Sequence, residues 1–71
     1  MTRETTEFVI YMIHELANAN EEAPSEIYRV LESTGCIRDY LVPFYDVLQT
    51  MSSESIMDDV NEFVESRGAR I

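Results

Sequence analysis

Residues 53–68 read SESIMDDVNEFVESRG, and this stretch decides the fold class. Ile56, Met57, Val60, Phe63 and Val64 stand at i, i+1, i+4, i+7 and i+8, the spacing that gathers side chains on one stripe of a helix. Polar residues fill the other positions. Glu54, Asp58 and Asp59 occupy the first turns and Arg67 the last, each sign matched to the helix dipole. Gly68 then supplies a stop. A helix is predicted from Ser53 to Arg67, with Ser52-Ser53 providing the break before it and a capping hydroxyl.

Working back along the chain, a shorter helix is predicted from Pro43 to Met51, with Phe44, Val47, Leu48 and Met51 inward and Asp46 and Gln49 outward. The segment from Arg38 to Val42 reads as a short turn or a partial helical turn. A residue before proline avoids the α region, so no helix is expected to run through Val42. Upstream, Pro24 suits a first helical turn, where its missing N–H would be unpaired anyway. That helix is predicted to run to Thr34, with Ile27, Val30 and Leu31 inward and Gly35 as the left-handed residue that ends it. Cys36 and Ile37 are placed to fold back onto it. The first helix is predicted over Thr5–Asn20, where Phe8, Val9, Met12, Ile13 and Leu16 share a stripe. No alternating pattern is long enough for a sheet. The expected fold is all-α: a compact bundle of three longer helices plus one short helix, one domain over residues 1–71.

A chain of 71 residues is near the lower limit for a single core without a staple, so self-association is one expected source of further stability. Cys36 is the only cysteine, which excludes an internal disulfide and fits a reducing compartment, the cytoplasm. It reads as a small buried apolar residue. Met1–Thr5 is polar and the apolar residues beyond it are periodic, so neither a signal peptide nor a membrane span is expected. Fourteen acidic residues against five arginines give a net charge of −9. That field repels phosphate and disfavours direct nucleic-acid binding. It leaves three roles: solubility, attraction to a basic partner protein, or imitation of a nucleic-acid backbone.

Catalytic motifs do not assemble. His14-Glu15 opens like a zinc-protease helix, but the second histidine would fall at Asn18. One histidine and one cysteine far apart make neither a structural zinc set nor a recognisable nucleophile pair. The adjacent carboxylates Asp58-Asp59 and Glu21-Glu22 diverge on a helix and do not converge on a substrate. Gly35 and Gly68 form no phosphate loop. The expectation is a protein that is not an enzyme and takes no cofactor or metal. Two surfaces read as partner-binding candidates. Ile10, Tyr11 and His14 fall off the main stripe of the first helix, so they are either covered by another segment or form an exposed interface patch. Glu54, Asp58, Glu62 and Glu65 form one acidic ridge on the last helix, whose mutual repulsion a basic partner would relieve. Tyr28, Tyr40 and Tyr45 are expected at the rim of the core.

One resemblance spans nearly the whole chain. Glu7-Phe8-Val9-Ile10-Tyr11, Pro24-Ser25-Glu26-Ile27-Tyr28 with Leu31, Ser33-Thr34-Gly35-Cys36-Ile37, then Tyr40, Pro43 and Tyr45-Asp46-Val47-Leu48-Gln49-Thr50 together resemble a family of small bacterial proteins known as domain of unknown function 3791. The resemblance implies a bacterial helical protein without an established activity. It also implies a histidine before the threonine, where this chain has Gln49. Some members are encoded near proteins that look like ADP-ribosylating toxins, which implies an antitoxin or accessory role. The expected function is a non-catalytic, acidic protein-binding module. The alternatives are a homodimeric structural protein and a nucleic-acid mimic that binds a basic protein.

Overall fold

A computed structural model describes residues 1–71 and shows an all-helical chain without strands. Helix α1 spans Arg3–Asn20 and starts two residues earlier than predicted, because Thr2 is the cap. The Thr2 hydroxyl accepts the Thr5 N–H at 3.1 Å, which satisfies one of the unpaired donors of the first turn. At the other end Glu21 takes the left-handed conformation, φ 54°, and its N–H bonds to the Ala17 carbonyl. A glycine usually occupies this place, since a Cβ is strained there.

Helix α2 spans Pro24–Thr34, the predicted bounds. Gly35 ends it at φ 81°, with its N–H on the carbonyls of Glu32 and Leu31. Cys36 and Ile37 then turn into the core as expected. The next segment is the partial helical turn that the sequence allowed, ending before Val42 as expected, and only the backbone of Val42 departs from the expectation. Ile37–Leu41 form a single π-helical turn, and Val42, although it precedes Pro43, lies in the right-handed α region at φ −74°, ψ −51°. The Val42 N–H reaches back five residues to the Ile37 carbonyl at 3.0 Å. The wider turn sets both Ile37 and Leu41 in the core and leaves Tyr40 half-buried between them, so tertiary burial overrides the local preference against α at Val42.

Helix α3 is Tyr45–Leu48 alone, a correction to the predicted Pro43–Met51. Phe44 at φ −102°, ψ 16° is not helical, and the Thr50 hydroxyl donates to the Val47 carbonyl at 2.7 Å as the turn closes. One turn presents one side to the core. Leu48 is buried and Met51 partly so, whereas Phe44 and Val47, predicted inward, are 52% and 61% exposed. Helix α4 spans Ser53–Ser66, one residue shorter than predicted, with the Ser52 hydroxyl accepting the Ser55 N–H.

Helices α1, α2 and α4 each pack on the other two. Met12, Leu16, Ile27, Leu31, Cys36, Leu41, Ile56, Val60 and Val64 are fully buried between them. A polar clasp joins the ends of α2 and α4. The Arg67 guanidinium lies over the Phe63 ring, donates to the Thr34 carbonyl at 3.2 Å and faces Asp39 at 3.6 Å. Beside it the Tyr40 hydroxyl donates to Asp59 at 3.1 Å, and the Tyr40 ring stacks on Phe63. No helix is long and apolar enough to cross a membrane.

Candidate functional site

The stripe that α1 turns inward fixes what it turns outward. Val9, Met12, Ile13 and Leu16 are buried, so Ile10 and Tyr11 emerge on the opposite side, 50% and 53% exposed, with His14 exposed one turn on. No other segment of the chain covers them. Of the two outcomes the sequence left open, the structure gives the exposed patch. The Tyr11 hydroxyl donates to Glu15 at 3.1 Å, which lays the ring along the helix surface.

Tyr11 also borders a groove of about 480 Å³ between α1, α3 and the start of α4. Its buried lining residues, Met12, Leu48 and Ile56, make the floor together with the half-buried Phe8. Tyr45 packs edge-on against Phe8, ring centroids 5.3 Å apart, and joins α3 to α1. The exposed lining residues Glu4, Glu7, Tyr11 and Gln49 form the rim. Gln49, the position where the resemblance implied histidine, is therefore a rim residue.

Glu54, Asp58, Glu62 and Glu65 are all exposed along α4, and none takes part in the ion pairs of the chain, which use Glu7, Glu26 and Asp39. The ridge is thus unneutralised from within. It approaches the groove at one end only, where Ser53, next to Glu54, lines it. The neighbours Asp58 and Asp59 diverge as read from the sequence: Asp58 is exposed, while Asp59 accepts from Tyr40. Burial pushes the Tyr40 hydroxyl up to about 12, with that hydrogen bond acting in the same direction. Of the other tyrosines, Tyr45 packs at the core rim as expected, but Tyr28 is half-exposed on α2.

Cys36 is fully buried, and desolvation pushes its thiol up to about 12 against the weak opposing field of Arg67. It stays protonated and inaccessible, the opposite of what a nucleophile needs. No three histidine, cysteine or acidic side chains converge closely enough to hold a metal ion.

The groove was the part that sequence reasoning missed. Glu4, Glu7, Phe8 and Tyr11 lie along one flank of α1 and could be read together, but the facing wall depends on how short α3 is and where it packs. A family model described as protein of unknown function, DUF3791, matches residues 7–67. The chain belongs to this family. The DUF3791 match contains Ile10, Tyr11, His14, the acidic ridge and most of the groove, with Glu4 just outside it. No curated protein and no solved structure matches the chain.

Proposed function

We propose that this chain is a non-catalytic protein-binding module of the cytoplasm, antitoxin-like or accessory to a toxin-like partner, which it meets through Ile10, Tyr11 and His14. On this reading its framework is a compact bundle of three longer helices and one short helix. The observation that carries it is the apolar pair Ile10 and Tyr11, half-exposed on a helix whose other side is fully used by the core. An isolated exposed apolar residue is ordinary, but two adjacent large ones beside an apolar groove have the composition of an interface. The sealed thiol of Cys36 supports the non-catalytic part of the reading. The acidic ridge adds a long-range attraction for a basic partner and raises its association rate.

The test compares wild type with Ile10→Asp and Tyr11→Ala as baits in the native host, each checked for fold by circular dichroism. The captured protein is identified, purified and rebound. Loss of rebinding by both variants supports the reading; undiminished rebinding counts against it. The homodimer reading draws on the same patch and is separated by light scattering: a stable dimer of wild type that Ile10→Asp splits would favour it. Nucleic-acid mimicry would place the contact on the ridge instead, and Asp58→Lys with Glu62→Lys would then abolish binding while Ile10→Asp would not.

A further inference from the structure

We propose that the groove between α1, α3 and the start of α4 receives an amphipathic helix of a basic partner, with an arginine of that helix seated between Tyr11 and the carboxylates of Glu4 and Glu7. This inference rests on the protein-binding reading above and names the chemistry of its partner.

Three features of the groove converge on this occupant. The floor of Phe8, Met12, Leu48 and Ile56 is apolar, and about 480 Å³ accommodates a few side chains from one face of a segment, not the surface of a whole domain. The walls are helices and the turns that join them, so no strand edge is offered. An extended segment laid there would leave its own backbone groups desolvated without partners, whereas a helix satisfies them internally. The rim is acidic. Glu4 has no cationic partner, and Glu7 has only Arg3, in a pair so exposed that a second guanidinium can replace it at little cost. A half-exposed tyrosine ring that lines the same groove as two carboxylates suits arginine above other side chains, since a planar guanidinium both stacks on a ring and donates to carboxylates. The net charge of −9 disfavours an acidic occupant, a second copy of this chain included.

The experiment titrates the isotope-labelled full chain with two short synthetic helical peptides that share leucines at i, i+3, i+4 and i+7. One carries arginine at the flanking positions and the other glutamate. The arginine peptide is expected to move the amide signals of Glu4, Glu7, Tyr11, Gln49 and Ser53, and the glutamate peptide to move none. Replacing both rim acids, Glu4→Gln with Glu7→Gln, is expected to weaken the arginine peptide about tenfold at low salt, as two exposed ion pairs would. Signal changes confined to Asp58 and Glu62, equal binding of both peptides, or no binding of either would overturn the proposal. So would movement of the same signals with protein concentration alone, which would mean that a second copy fills the groove. A groove that fails this test leaves the module reading intact if Ile10→Asp still releases the purified partner; the module reading fails only by the rebinding test.

Discussion

Replacing Gly35 with alanine tests the joint between α2 and α4. Gly35 has φ 81°, and a left-handed residue with a Cβ costs about 1–2 kcal/mol. Alanine recovers part of that by restricting the unfolded chain, about 0.4–1 kcal/mol. Crowding works against the recovery: the new Cβ would stand 2.7 Å from Arg38 Nη2 and 2.9 Å from Asp39 Oδ2, with Arg67 Nη1 at 3.5 Å. These are the ends of flexible side chains, so they swing away without moving backbone, but the Asp39 carboxylate then leaves Arg67. The net expected loss for Gly35→Ala is about 1–2 kcal/mol, which lowers the melting temperature of a domain this size by roughly 6–12 °C. Gly68→Ala is the internal control. Its φ is 80°, yet a Cβ there meets nothing within 4 Å, so it carries the backbone strain without the crowding. Urea unfolding followed by circular dichroism gives both values. Asp39→Ala should matter less in the Gly35→Ala background than in wild type, since the carboxylate is already displaced. A Gly35→Ala loss below about 0.5 kcal/mol, or one no larger than that of Gly68→Ala, would refute the account of this joint.

Glu21 is the mirror case, a non-glycine residue at φ 54° and an acid at a helix C-terminus, so Glu21→Gly should stabilise the chain by about 0.5–1 kcal/mol in the same assay. Leu31 is fully buried among three helices, and Leu31→Ala should cost about 2–5 kcal/mol. Cys36 binds its proton more tightly when folded than unfolded, with its pKa raised from 9.0 to about 12. The stability it adds is therefore complete below pH 9 and is lost as pH rises from 9 towards 12. Between neutral pH and pH 10 a Cys36→Ala chain should lose about 1 kcal/mol less than wild type in urea titrations, and equal losses would contradict the buried thiol. Ile10→Asp should change stability by less than about 0.5 kcal/mol, because the side chain it replaces is half in water; a larger loss would mean that Ile10 belongs to the core.

Punctuation residues made much of this fold legible. Pro24 and Gly35 bracket α2 to the residue, since one has no N–H to donate to an earlier carbonyl and the other alone suits φ 81°. The strict stripe of Ile56, Val60 and Val64 gave α4 within one residue, and the outward direction of Ile10 followed from the inward stripe of α1. Legibility failed where tertiary contacts decide. Val42 accepts α geometry because Ile37 and Leu41 gain burial from it, and no local rule weighs that gain. The periodicity of Phe44, Val47, Leu48 and Met51 was real as a pattern, but a helix of one turn cannot bury all four. The groove depended on that same short helix. Its α1 side was written in Glu4, Glu7, Phe8 and Tyr11; its α3 side was not.

The central claim is that Ile10 stands in water in the single chain and is covered by a partner protein. Methyl-labelled Ile10 in the presence of a soluble paramagnetic agent measures this directly. Strong broadening of the Ile10 methyl signal in the dilute free chain, relieved when the purified partner is added, is the predicted result. A sharp signal in the free chain, or a broadened one that the partner leaves unchanged, would contradict it.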